Sequence, residues 1–499
     1  MAPKFQKQDV LTNPSLSDVY YSLGSIAQEF AILGLIEIAS KLISLLYTHH
    51  HTEHQQGSLR SLKFAFATTG TWPEQIPEKE RTDAALADMT IWKKDTWPYP
   101  ISPVSPKVDL SFDEEGFQKL MGPCRDGNAA IRLGMYQNDV CAKALTLAIH
   151  LASDGKFGRP QNDTHIGREW NTDLDWSMIE KDPRVQELLG IIANSLHRRN
   201  GIQSLSDHRA IWPLLATGAL ARKIGVNNAK VDALADDVLK TFTKRLQEGR
   251  QPSGYENKTI KELFQTLESH TKKNGKTFRE EAGWETPQTL FNDPASEEDI
   301  HELERRIQIE LPDDYKSFLR LSNGFSPFFS GILYEPALHA TSGVHWAEDT
   351  WITEQFIELY DPASGNHQLA RMMGREWDDW PKLSRALEIG QDDIFSIWLV
   401  PSQDVKSGVE AYKEALEHDQ VPETEKQEVR AALVSRYGSL EALDKLDWLV
   451  FECVEGVSRG VGTFRMWLEE KARKSELEKM KGDDDRGPEN SYCFAYGCK

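Results

Sequence analysis

Three shortages bound this chain of 499 residues. Cysteine is scarce: five are scattered with no CxxC spacing, which indicates neither a disulfide framework nor a zinc ribbon and points to a reducing cytosolic or nuclear setting. Cys498 stands one place from the end, the wrong position for prenylation. Positive charge is scarce too. There are 58 Lys and Arg against 78 Asp and Glu, a net charge of -20, and no basic stripe. That argues against a nucleic-acid backbone or an anionic membrane surface as the main partner. Long apolar runs are missing. The most hydrophobic stretch, Tyr20 to Tyr47, is interrupted by Glu29, Glu37 and Lys41, whereas a spanning helix needs about 20 mostly apolar residues. It reads as a helix buried on most sides, and no membrane insertion is expected. The start, MAPKFQKQDV, has no apolar signal core. No phosphate-cradling glycine loop is present: GSLRSLKFAFATTG is neither a P-loop nor a dinucleotide turn, so no cofactor is expected.

What is there suffices for ordinary cores: 39% hydrophobic and 9% aromatic residues, in a length that suits two to four domains. Leu16 to Gly249 has mainly helical periodicity. Leu23, Ile26, Phe30 and Leu33 share a face, as do Leu145, Ala148, Ile149 and Ala152. Val185 to His197, Trp212 to Ile224 and Val231 to Leu246 are further helices, with Gly201 and Gly225 as stops. An all-α bundle or irregular solenoid over residues 1–250 follows, without a fixed-period repeat. A bridging helix, Thr259 to His270, lies in the linker 251–286, and the acidic tail 475–499 is expected to be disordered. Thr96 to Lys107, TWPYPISPVSPK, is an extended strap, and Ser153 to Asp173 is a long polar loop.

Candidate chemistry is sparse. His49, His50, His51 and His54 are the best metal candidates, since His50 and His54 would share a helix side; the plain alternative is a solvated helix end. Ser204, Asp207 and His208 offer the residue types of a hydrolase triad, but a triad is a geometry, not an adjacency. Four of 14 Trp precede Pro: Trp72, Trp97, Trp212 and Trp380. The residue before Pro is pushed toward extended backbone, so these mark helix starts with a large anchor on the core. The strap holds Ser102 and Ser105, each before a Pro, in the form that proline-directed kinases take; the same strap contains PxxP.

Ser296 to Gly324, SEEDIHELERRIQIELPDDYKSFLRLSNG, is the most informative stretch. Ser296 and Asp299 suit a helix cap; Ile300, Leu303 and Ile307 form one apolar stripe. Leu311-Pro312 ends that helix and starts the next, whose Tyr315, Phe318, Leu319 and Ser322 share a face before Asn323-Gly324 stops it. This wording resembles the SUKH superfamily, which holds the fungal Smi/Knr-type cell-wall regulators and many bacterial toxin-immunity proteins. The resemblance is carried by Glu304, Leu311, Pro312, Asp313, Asp314, Tyr315, Phe318, Leu319, Asn323 and Gly324. Ala386 to Val400 looks like the family's Ile-Gly turn, here Ile389-Gly390, leading into a buried strand. Phe451 to Glu470 looks like its last strand, loop and closing helix, with Thr463-Phe464 where Ser-Phe usually stands. The family often has Gly after Asn-Gly; this chain has Phe325.

The resemblance covers about Pro287 to Lys474 and implies an α+β domain at 287–474, a mixed, largely antiparallel sheet flanked by helices. Ser402 to Leu446 looks like a polar helical insertion whose ends lie close together and whose replacement by a short linker is tolerated. The resemblance also implies a non-enzymatic protein-interaction module; in fungi the family is tied to cell-wall synthesis, morphogenesis and the cell-wall-integrity MAP kinase pathway. Trp346, Trp351, Trp377 and Trp380 are the candidate partner-binding residues, and a MAP kinase is a candidate partner. The expected setting is cytoplasmic, nuclear or at sites of polarised growth. The rival readings are a helical scaffold with a purely structural SUKH-like domain and, more remotely, the hydrolase.

Overall fold

The computed structural model describes residues 5–49, 57–82, 86, 111, 113–126, 137–157, 174–196, 201–274, 285, 287–330, 334–348, 350–360, 366–392, 395–454 and 457–477. The described residues form two compact units: residues 5–7 and 20–244, and residues 8–19 and 245–477. The Pro-rich strap and most of the tail lie outside the described residues.

Helix α1 (Lys7–Thr12) and the start of α2 (Leu16–Ile32) fall in the second unit. The first unit is helical: the rest of α2, then α3 (Ile36–His49), α4 (Gly57–Thr69), α5 (Glu114–Arg125), α6 (Gln137–Ala152), α7 (Trp176–Glu180), α8 (Pro183–Ser195), α9 (Gly201–Ser206), α10 (Trp212–Leu215), α11 (Ala219–Ile224) and α12 (Asn228–Glu248), whose last residues from Arg245 on fall in the second unit. It is an irregular bundle. Helix α6 is buried at 12 of its positions, and α5, α8 and α9 pack on it. Tyr20 to Tyr47 is two helices rather than the one expected. Gly34 at φ +85° turns the chain there, and a Cβ would lie 2.7 Å from the Gly218 backbone. Gly225 ends α11 in the left-handed region, as expected. Gly201 opens α9 instead of stopping a helix, a place glycine tolerates.

The second unit is α+β. Helices α13 (Ile260–Asn274), α14 (Glu297–Ile307) and α15 (Asp313–Leu321) precede a small antiparallel pair, β1 (Phe328–Phe329) and β2 (Tyr334–Glu335). Then come β3 (His345–Trp346), α16 (Asn366–Met372), β4 (Leu387–Asp392), β5 (Phe395–Val400), α17 (Ser402–Glu417), α18 (Glu423–Tyr437), β6 (Leu449–Val454), β7 (Val457–Gly462) and α19 (Phe464–Leu477). The sheet runs β3-β4-β5-β6-β7, antiparallel throughout. Side chains alternate across a strand, and both faces are covered. Leu387, Ile389, Ile397, Leu399 and Val450 form one core with residues of α13, α14, α15 and α19. Trp398, Val400, Leu449, Phe451 and Cys453 form another with residues of α16, α17 and α18.

Two expectations change. The helix expected as a bridge is part of the core: Leu263, Phe264 and Leu267 of α13 are fully buried, and the Phe264 ring stacks on Phe318 at 4.7 Å. The 402–446 stretch does join paired strands, with Val400 opposite Leu449. It is not a surface excursion, because Val405, Tyr412, Leu416, Val429 and Leu433 lie in the second core. Its Glu and Lys content reflects the outer faces of helices whose inner faces are apolar.

Candidate functional site

The family-like residues build a platform. Ser296 caps α14 in a capping box with Asp299. The Glu304 carboxylate accepts the Leu311 N–H at 2.9 Å and so closes the turn between α14 and α15. Pro312 caps α15, and Tyr315, Phe318 and Leu319 are fully buried. At its end the Asn323 side-chain oxygen accepts Thr341 N–H at 2.6 Å. Gly324 sits at φ +93° where a Cβ would come within 2.9 Å of Leu338 O, so only glycine fits. Ile389 and Phe464 are core, and the β4 register shifts between Glu388 and Gly390. Each of these residues makes a turn, a cap or a core contact.

The platform holds the loop that leads into β3. Arg306 of α14 donates to Thr341 O at 2.6 Å and Val344 O at 2.7 Å. Trp346 Nε1 donates to Ile307 O at 3.1 Å, and His339 N–H to Ile389 O at 2.7 Å. Among the described residues β3 is the outermost strand of its sheet and pairs with β4 alone, an edge of the kind that can take a further strand. On this edge Trp346 is half-buried, with the Arg385 guanidinium 4.0 Å from its ring centre. His339 and His345 turn their Nε2 atoms to the buried Glu388 carboxylate at 3.6 and 3.8 Å. The edge thus combines an aromatic held at both ends, an exposed guanidinium and two imidazoles.

The other sequence candidates fare differently. Trp380 is not a partner-binding residue: it is 3% exposed, donates to Ile357 O at 3.1 Å and stands edge-on to Tyr412. That is the core-anchor role expected of Trp before Pro, and Trp212 fills it too, fully buried. The side chains of Trp351 and Trp377 lie outside the described residues, as do Ser102, Ser105, His50, His51 and His54. His49 accepts the Tyr20 hydroxyl at its carbonyl, 3.1 Å away. His208 directs Nε2 to Asp139 at 2.7 Å, and the Ser204 side chain lies outside the described residues. Among the described residues no group of three or more His, Cys, Asp or Glu is placed to hold a metal, and no helix is long and apolar enough to cross a membrane.

Sequence reading missed a charged network along α19. Lys471 Nζ lies 2.5 Å from both Glu335 and Glu452, and Trp467 Nε1 donates to Glu452 at 2.8 Å. Arg459 pairs with Glu452 at 3.1 Å; Glu470 pairs with Lys474 at 2.7 Å and Arg436 at 3.8 Å. Burial alone would push the Glu452 carboxyl up, but Lys471 and Arg459 outweigh it and hold it down at about 2. The folded value lies below the ordinary one, so this stabilisation is full above about pH 4.5 and is lost as pH falls through about 2. Roughly 3 kcal/mol should depend on Glu452 in that window. Melting temperatures of wild type and Glu452→Gln between pH 6 and pH 2 should converge; parallel curves would remove Glu452 as the source.

The geometry defines an α+β unit built around a helix-turn-helix platform and an open sheet edge. Residues 294–425 match the SMI1 / KNR4 family (SUKH-1), so the chain carries a SUKH-1 domain. The match begins just before the capping Ser296 and ends within α18, leaving β6, β7 and α19 beyond it. No curated protein and no solved structure matches the chain. A SUKH-1 domain is consistent with a regulatory or protein-interaction role.

Proposed function

We propose that this is a non-enzymatic regulatory protein that binds another protein along the open β3 edge of its SUKH-1 unit. An extended segment of the partner adds a strand beside β3, and Trp346 is the anchor. The observation that carries this reading is Trp346 itself, half-buried on the edge strand, tied to Ile307 O and covered by Arg385. A tryptophan already held in place loses little freedom on binding, and Trp and Arg dominate interface hot spots. The family supports a fungal setting, with a role in cell-wall synthesis or morphogenesis signalling in the cytoplasm, the nucleus or at sites of polarised growth. The Ser-Pro pairs at Ser102 and Ser105 support a MAP kinase as one partner.

The test is affinity purification of full-length wild type, Trp346→Ala and Arg385→Ala, with melting curves as the control for folding. Partners held at the edge should drop at least tenfold with either folded variant, since hot-spot truncation costs 2 kcal/mol or more, about 30-fold. Equal recovery from all three proteins overturns the edge as the binding face. In the same preparations a MAP kinase should label wild type but not a chain with Ser102→Ala and Ser105→Ala; equal labelling removes the kinase.

A further inference from the structure

Residues 8–19 belong to the same compact unit as residues 245–477, although a long stretch of chain separates them. Leu11 O accepts Gln251 N–H at 2.8 Å, Asn13 O accepts Arg245 Nη2 at 2.9 Å, and Pro14 O accepts the Ser435 hydroxyl at 2.9 Å. The Asp9 carboxylate pairs with Arg473. Val10, Leu11, Leu16 and Val19 are buried. A short amphipathic segment held through its main-chain carbonyls, its apolar side chains and one carboxylate is how proteins bind peptides in trans.

Residues 8–19 bring acidic groups to two arginines of the surface that receives them. Asp9 sits on Arg473. Burial works against the charge on Arg459, but Glu452, Glu470 and Asp18 outweigh it and raise its pKa.

The fit is incomplete. Arg473 is 4% exposed, yet its Nε and Nη2 have no hydrogen-bond partner, and neither has the buried Arg436 Nε. Buried donors without acceptors are costly, and those on a charged group more so. A peptide with more acceptors at this point would satisfy what Asp9 alone leaves open.

We propose that residues 8–19 are a stand-in ligand that fills a peptide-binding site on the second unit, and that an acidic amphipathic segment of a partner protein displaces them. The site is separate from the β3 edge and does not depend on it. The probe is a fluorescein-labelled synthetic peptide of residues 6–19. It should bind full-length Asp9→Arg at least tenfold tighter than full-length wild type, whose tethered copy competes at high effective concentration. The same peptide carrying Asp9→Asn should bind that variant at least fivefold more weakly. Equal binding to both proteins, or none to a folded variant, overturns the proposal. A second measurement uses the unaltered sequence: hydrogen exchange on isotope-labelled wild type, with and without excess unlabelled peptide. The amides of residues 8–14 should exchange faster with the peptide present; unchanged exchange overturns the proposal whether or not the variant folds.

Discussion

A fragment running from Pro287 to Lys474 is expected to lose cooperative melting, while one extended back to Arg245 keeps far more structure. The reason is α13. Tyr255, Leu263, Phe264 and Leu267 are buried in the same core as the sheet's Leu387, Ile389 and Ile397. Phe264 stacks on Phe318 at 4.7 Å, meets Phe325 edge-on at 4.7 Å and lies 6.4 Å from Phe464. Burying a side chain of this kind contributes about 1.5–3 kcal/mol, so losing four removes roughly 6–12 kcal/mol from a domain whose whole stability is about 5–15. In the full chain, Phe264→Ala alone should cost about 3–5 kcal/mol. Circular dichroism melting of the two fragments and the variant checks both statements. A sharp transition in the shorter fragment, near that of the full chain, would place α13 outside the core.

Replacing residues 402–446 by a short Gly-Ser linker should unfold the second unit rather than trim it. Closing the loop is not the obstacle, because Val400 and Leu449 already face each other and loop entropy grows slowly with length. The obstacle is the sheet face left bare: Trp398, Val400, Leu449, Phe451 and Cys453 would lose their cover from α17 and α18. Exposed apolar surface of that kind favours aggregation. A milder version is Tyr412→Ala, which should cost about 3–5 kcal/mol because the ring is fully buried against Trp380. Size-exclusion chromatography and thermal melting of the deletion decide it; a monomer melting like the full chain would mean that the two helices are dispensable.

Local features were legible. The Ser296 cap, the Pro312 start of α15 and the buried strand after Ile389-Gly390 rest on short-range rules, and the structure has each of them. The two expected helix stops lie elsewhere: α14 ends at a left-handed Gln308 and α15 at an extended Ser322, with Gly324 turning the loop beyond it. The missing part is what each apolar face meets. The periodicity of α13 shows a stripe, but Phe318 and Phe464, which that stripe packs on, lie far along the chain. Composition misleads where charge is buried: Lys471 and Arg473 sit in a Lys- and Glu-rich helix that reads as a solvated surface, and both are under 8% exposed. Trp380 reads two ways in the sequence, and its burial, its hydrogen bond to Ile357 O and its contact with Tyr412 make it the anchor. The β3 edge had no local signature, since a strand of two residues has no periodicity to read.

The pairing of Asp9 with Arg473 spans 464 positions. At a synthesis rate of about 5–20 residues per second, the first of these residues waits roughly 25–90 s on the ribosome for the second. For the first half of that time residues 8–14 have no Arg245 to meet, and for most of it no Ser435, so the earlier helices must reach their arrangement without them. The second unit therefore closes only once Arg473 has been made. A nascent chain halted before residue 473 should leave residues 8–14 open to a protease that the finished protein resists.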